Sequence, residues 1–333
     1  MQNTKNIIFE RLGIRPEEYC DLHITRNFSS FVAVSQGIII GMTEPIMKHC
    51  PLFSILYKED QPADIQEIKR TIERAVNEKI ERFGSFTPRR EVIRDDIAVP
   101  FGASEMMMYA LRKKSIDAAV TVCDGAGTVI SSSPSLVQGI GARMNGLFYT
   151  TPVPNVIKKI GKEGGTVVFP DTARIDQIAG LEKAAELGFK NIAVTINGFS
   201  PEPFHRLSSI ENKYNIHSVC ITVCTTGISK EEAERTVAHS DLVWSCGSGP
   251  VREIAGRTAI IQITSAIPVF VLTVKGLDFA SAYASEPRII KNLSPDKQYL
   301  IAGNVRGIDV TMGTYSTHLT ESKLPVRSNK EPG

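Results

Sequence analysis

The chain has 333 residues, with 38 Lys+Arg against 36 Asp+Glu, 42% hydrophobic and 22% charged. This composition excludes a collagen-like, low-complexity or wholly disordered chain, and a formal net charge of +2 gives no electrostatic case for nucleic acid or an anionic membrane. Six cysteines are too sparse for a disulfide scaffold, and the start MQNTKNIIFE lacks the basic and apolar regions of a signal peptide. The most hydrophobic stretch, TAIIQITSAIPVFVLTV from Thr258 to Val274, is broken by Gln262, Thr264, Ser265 and Pro268, which suits two buried strands better than a membrane span. The expectation is a reduced, cytoplasmic protein.

The first hundred residues differ from the rest. A short helix is predicted over Thr4–Leu12. Asp21–Met42 alternates and is β-branched, with Gln36-Gly37 between two strand-like runs as a hairpin signal. The strongest helix signal is Ala63–Phe83, where Ile65, Ile68, Ile72, Val76, Ile80 and Phe83 recur at spacings of three and four. Pro62 before it and Gly84 after it mark its ends. From Gly102 the pattern becomes short apolar strands alternating with helices. Strands are predicted at Asp117–Cys123, Thr166–Phe169, Asn191–Ile196, His217–Cys224, Asp241–Cys246, Ala259–Ile263 and Pro268–Thr273. Beyond Lys291 no apolar period is visible, and Ser316–Gly333 reads as a polar, mobile tail.

Alternating strands and helices imply an α/β fold with a mainly parallel sheet covered by helices on both faces. The expected organisation is an N-terminal hairpin-and-helix unit over 1–100, a Rossmann-like domain over 101–290 and a tail over 291–333. Ligands in open α/β sheets bind beyond the carboxyl ends of the strands, so the residues at those ends are the candidates. Three predicted strands end in cysteine: Cys123, Cys224 and Cys246, each followed by a polar, glycine-containing loop. One cysteine is commonly core filler; three at one sheet edge suggest thiolate ligands. No CxxC pair is present, as zinc would usually require, whereas iron–sulfur clusters accept thiolates from dispersed loops. The expectation is a [4Fe-4S] cluster held by Cys123, Cys224 and Cys246, with Cys50 as the candidate fourth ligand. Cys220 lies mid-strand in SVCITVC and reads as structural.

Around these thiols, Gly125, Gly127 and Thr128, then Thr225, Thr226 and Gly227, then Gly247, Ser248 and Gly249 are candidates to bind a cofactor or phosphate. CDGAGTV is neither a GxGxxG nor a Walker loop, and a tight strand-to-strand turn is its competing interpretation. Asp124, Arg143, Asp171 and Arg174 are the candidate catalytic or anion-pairing side chains, although Asp171 also suits a helix cap and Arg143 a solvated face.

The run GASEMMMYALRKKSIDAAVTVCDGAGTVISSSPSLVQGIGARMNGLFYTTPVPNVIKKIG resembles the methanogenesis marker protein 8 family, also called domain of unknown function 2099. KHCPLF, FPDTARIDQIAGLEKAAELGFKNIAVT, CTTGISKEEAERTVAHSDLVWSCGSGPVREIAG and IPVFVLTVKG carry the same resemblance, collinear from Val34 to Gly276. It implies a cytoplasmic protein of strict anaerobes and no particular reaction. A fainter similarity, over GASEMMMYALRKKSIDAAVTV and PDTARIDQIAGLEKA, is to the beta subunit of deazaflavin-reducing hydrogenases. Three functions are therefore weighed: an iron–sulfur enzyme or accessory protein of sulfur or cofactor metabolism with a small anionic substrate; a flavin- or deazaflavin-binding redox partner; and a non-catalytic assembly protein that binds a partner or a second copy through its N-terminal unit.

Overall fold

A computed structural model describes residues 2–47, 64–142, 144, 146–199, 204–302 and 306–327. Two sheets organise it. The smaller has the order β3-β2-β1-β6, where β1 is His23–Asn27, β2 Ser30–Ser35, β3 Ile38–Met42 and β6 Leu147–Thr150. Its hairpin at Gln36-Gly37 takes positive φ at both residues (51° and 72°), the geometry that matches strand twist in a two-residue turn. A second such turn at Phe28-Ser29 (φ 45° and 62°) carries neither Gly nor Asn, so nothing in the sequence marks it. The helix Ile65–Phe83 covers one face of this sheet with Ile68, Ile72, Val76 and Ile80. Asp64 caps it by accepting from Glu67 N–H at 2.8 Å, and Gly84 ends it in the left-handed region at φ 64°. The helix Gln2–Leu12 covers the other face, with Ile8 packed near Ile24, Phe31 and Ala33.

The larger sheet has eleven strands. Those not yet named are β4 Ala118–Cys123, β5 Gly127–Ser131, β7 Thr166–Val167, β8 Asn191–Asn197, β9 His217–Val223, β10 Leu242–Trp244, β11 Ile261–Ile263, β12 Val269–Val271, β13 Tyr299–Ala302, β14 Ile308–Met312 and β15 Tyr315–Glu321. Their order is β14-β15-β13-β11-β12-β10-β9-β8-β4-β5-β7. The expected mainly parallel, Rossmann-like sheet is thereby corrected: the sheet is mixed, with six antiparallel ladders against four parallel ones. Connection length explains the difference. A parallel crossover needs a dozen or more residues. β4 and β5 are joined by only Asp124–Ala126, and β11 and β12 by Thr264–Pro268, so each pair must form a hairpin. The helical crossovers do give a parallel core, β10-β9-β8-β4.

The region beyond Lys291, expected as a partly mobile tail without an apolar period, supplies three strands. β13 joins β11 in parallel, and the β14–β15 hairpin closes that edge of the sheet. Burial alternates along β15 from Tyr315 to Thr320, with Thr317 and Leu319 inward. The inward positions mix polar and apolar side chains, and so gave no period. The main core lies on one face of the central strands, where Met106 and Met107 pack with Leu242, Trp244 and Tyr283. Among the described residues no helix is long and apolar enough to cross a membrane.

Candidate functional site

The carboxyl ends of β9 and β10 lie side by side, because their parallel register pairs Ile221 with Leu242 and Thr222 with Val243. The two following loops are tied together. The Thr225 hydroxyl contacts Trp244 O at 2.7 Å and Ser245 O at 2.9 Å, and Gly247 N–H donates to Thr226 Oγ1 at 3.0 Å. Both cysteines fall just past their strands, in the left-handed region: Cys224 at φ 59° and Cys246 at φ 46°. A side chain at such a residue leaves the alternation of its strand. Both residues are partly exposed, although the Cys224 thiol itself is buried and Cys246 packs against the main core. A Cβ on Gly146 would stand 2.9 Å from Cys224 Sγ, so only glycine lets the approach to β6 pass over this thiol. Met47 lies over the Cys246 loop, its Cε 2.8 Å from where a Cβ on Gly247 would be.

Arg26 of β1 enters this site from the smaller sheet. It is 7% exposed, and its Nη1 donates to Thr226 O at 2.9 Å. The guanidinium stacks 4.0 Å from the Phe199 ring centroid and 5.2 Å from that of Phe31. Burial pulls its pKa down to about 10, while the thiols of Cys224 and Cys246 act in the opposite sense. Burial pushes the Cys224 thiol up to about 11, against the pull of Arg26. At neutral pH Cys224 is therefore a neutral thiol and Arg26 a cation. Below Cys246, Ser248 caps the helix Gly249–Thr258 by accepting from Val251 N–H, and Arg252 Nη2 donates to Cys246 O at 2.9 Å.

Cys123 does not join this pair. It closes β4 at 0% exposure inside an aliphatic cluster with Val92, Leu136, Ile140, Val153 and Val156. Burial first, then the neighbouring Asp124 carboxylate, push its thiol far above the usual range. Among the described residues no three His, Cys, Asp or Glu side chains come together as a metal-binding group. The three-ligand set Cys123, Cys224 and Cys246 is thus not assembled; the structure offers two thiols and a third cysteine that faces hydrocarbon. Cys50 and Arg143 lie outside the described residues.

The other expected site residues are distributed differently. Asp124 is 1% exposed and paired with Arg90 Nε at 2.9 Å; it also accepts from Phe86 N–H at 2.5 Å. Burial alone would raise its pKa, but Arg90, the Phe86 N–H and His23 hold it below the ordinary 3.8. Gly125 and Gly127 form the tight β4–β5 turn at φ 79° and 68°. A Cβ on Gly127 would lie 2.1 Å from Ala173 O, so the 171–174 loop already fills the space a phosphate would need. Thr128 Oγ1 is buried in the same junction, donating to Arg174 O at 3.0 Å and accepting from Asp176 N–H at 2.8 Å. Asp171 and Arg174 sit at the surface, Arg174 stacked 3.8 Å from Phe169. Asp176, not Asp171, caps the helix Gln177–Glu186. Thr225, Thr226, Gly227, Gly247, Ser248 and Gly249 form the two loops around the thiol pair; Thr225 and Ser248 hold loop and helix cap, and Thr226 meets Arg26.

Residues 23–284 match the family described as "Uncharacterized protein conserved in archaea (DUF2099)". The chain belongs to this family. The chain is also similar to the uncharacterized protein MJ0054 of Methanocaldococcus jannaschii, 42% identical over 243 residues, which cover 73% of this chain and 83% of the relative. No solved structure matches. The DUF2099 match spans β1 with Arg26, both cysteine loops and Arg252.

Sequence reasoning missed Arg26, Arg252 and the buried Arg90 that neutralises Asp124. A signal for Arg26 existed: a cation inside the apolar, β-branched run HITRNFSSFVAV is costly unless a partner or a ligand compensates it. His23 was also unmarked. It is fully buried, 2.6 Å from Asp21 Oδ1 and 2.6 Å from Thr150 Oγ1, and Thr150 Oγ1 accepts from Gly125 N–H at 2.7 Å. This chain of contacts ties β1 to the β4–β5 turn and fixes the sheet that delivers Arg26.

Proposed function

We propose that this DUF2099 chain is an enzyme or accessory protein of anaerobic sulfur or cofactor metabolism, cytoplasmic as its methanogenesis-marker resemblance suggests, that holds a thiophilic group at Cys224 and Cys246. The observation that carries this reading is the pair of cysteines on adjacent, hydrogen-bonded loops around one buried guanidinium. A soft metal displaces the proton from a thiol, so the raised pKa of Cys224 opposes free thiolate but not metal thiolate. Thiolate ligation places negative charge where Arg26 and the N-terminus of the helix Gly249–Thr258 offset it. An iron–sulfur centre is the version favoured here. It would take Cys224 and Cys246 as ligands and leave Cys123 out. The flavin or deazaflavin alternative draws less support, since Gly125, Gly127 and Thr128 are spent on packing the β4–β5 turn against the 171–174 loop.

The test is iron, sulfide and visible absorbance of the anaerobically purified protein, with single serine variants. Cys224→Ser and Cys246→Ser should each lower iron content, whereas Cys123→Ser and Cys220→Ser should not. Iron-free wild type, or iron lost equally in all four variants, would overturn the reading; flavin absorbance would favour the alternative.

A further inference from the structure

The guanidinium of Arg26 uses only part of its donor fork. Nη1 donates to Thr226 O at 2.9 Å, yet Nε is fully buried with no hydrogen-bond partner among the described residues. Leaving a buried donor without an acceptor is unfavourable, the more so when the group is charged. The Nε–Nη2 edge is the one that grips a planar oxyanion through two parallel hydrogen bonds. Gly227 lies against the Nη2 side, where a Cβ would stand 3.4 Å from Nη2 and 3.5 Å from the Phe199 ring, so the backbone there approaches the guanidinium without a side chain between them. Phe199 and Phe31 fix the guanidinium, which removes most of the entropy a free arginine would lose on binding. Arg252, held on Cys246 O, adds a second cation to the same rim, and the helix Gly249–Thr258 presents its N-terminus there.

We infer that Arg26 is the specificity anchor of the thiol site and that the ligand bound beside Cys224 and Cys246 carries a small oxyanionic group, a carboxylate fitting the Nε–Nη2 edge best. The inference deepens the proposed function, on which it rests for the identity of the site. It assigns the ligand two ends: an oxyanion on Arg26 and a thiophilic end facing the cysteines. Neither Arg143 nor Arg174, the sequence-level candidates for anion pairing, is needed for this. Arg174 is exposed and engaged with Phe169 and Asp176.

The test uses the full chain and simple probes. Thermal unfolding is compared in acetate, inorganic phosphate, methanesulfonate and chloride at equal ionic strength, for wild type and Arg26→Gln. A probe at a hundredfold excess over its Kd should raise the wild-type Tm by about 4 °C above the chloride value. That increment should vanish in Arg26→Gln, and the most effective probe identifies the oxyanion. An increment of equal size in both proteins, or none from any oxyanion in wild type, would overturn the inference. Should Arg26→Gln fail to fold, the Nε–H resonances of 15N-arginine-labelled wild type decide. One resonance moving on acetate, phosphate or methanesulfonate addition supports the anchor; no movement refutes it. Iron content is independent of this readout. An iron-free protein that still shows the Arg26-dependent shift sinks the metal reading and leaves the anion anchor standing.

Discussion

Removing the carboxylate of Asp124 tests whether the junction beneath the smaller sheet depends on a buried ion pair. Asp124 and Arg90 are both nearly inaccessible, at 1% and 2% exposure, and 2.9 Å apart. Asp124→Ala leaves the Arg90 guanidinium with Gly139 O at 3.2 Å, Ile140 O at 2.9 Å and Glu91 O, but without a countercharge. It also strands the Phe86 N–H. Breaking a buried pair by deleting one partner costs about 3–5 kcal/mol. A chain of this length unfolding as one unit has an entropy near 0.7 kcal/mol/K, so Tm should fall by about 4–7 °C. Differential scanning calorimetry at pH 7 reads the shift. A double-mutant cycle with Arg90→Ala should give a coupling of about 1–3 kcal/mol. The linkage has a definite sign. Because the folded-state pKa of Asp124 lies below 3.8, its contribution is present above that value and is lost as pH falls through the folded-state pKa. The wild-type Tm should therefore approach that of Asp124→Ala in acid. A drop under about 1.5 °C, or strict additivity with Arg90→Ala, would refute the argument.

Three further outcomes follow from the same geometry. Gly127→Ala meets Ala173 O at 2.1 Å with φ at 68°, so it should destabilise by about 2–4 kcal/mol in urea unfolding; a change under 0.5 kcal/mol would show that the β4–β5 turn is loose. Cys220→Ala removes one small buried group from the cluster around Ile192, Val194 and Phe204 and should cost about 1 kcal/mol without altering bound iron; iron loss with folding intact contradicts this. In metal-free protein, alkylation of Cys224 should climb about tenfold per pH unit until pH nears 11, and a plateau below pH 9 would count against its raised pKa. Cys220 and Cys224 also carry a stability consequence. With folded pKa values near 12 and 11 against an ordinary 9.0, their contribution is complete below pH 9 and is lost as pH rises from there.

How far the sequence reached depends on where each signal was local. The helix Ile65–Phe83 and the hairpin turn at Gln36-Gly37 were legible because periodicity, caps and positive φ act within a few residues. Even there, Ile65, counted on the apolar face, is 42% exposed, since the face begins at Ile68. The parallel core β10-β9-β8-β4 was legible for the same reason: its strands are separated by helices long enough to cross over. The mixed character of the sheet was not. The tight strand-to-strand turn weighed for CDGAGTV is the one that forms, and the brevity of Asp124–Ala126 forbids a crossover there, but this was not carried through to the sheet as a whole. The C-terminal strands were invisible because Thr317 is an inward polar position beside Leu319.

The cysteines show the harder limit. All three were placed near the carboxyl ends of central strands, yet the chemistry they can do is decided by one backbone angle and by the opposite element. Cys123 keeps its strand conformation, and the pleat turns its thiol into hydrocarbon. Cys224 and Cys246 enter the left-handed region one and two residues beyond their strands and leave the pleat. What then faces them is Arg26, some 200 residues away in sequence and carried on a separate sheet. No spacing within the chain announces such a pairing. It exists because β6 leaves the α/β region to pair with β1, while His23, Thr150 and Gly125 clasp that junction. The site is therefore a property of the contact between the two sheets: loosening that contact, by Thr150→Val for example, should release Arg26 from Thr226 O and abolish the Arg26-dependent anion shift while leaving both cysteines in place. An anion shift undiminished in folded Thr150→Val would show that β1 is held against the cysteine loops by other contacts.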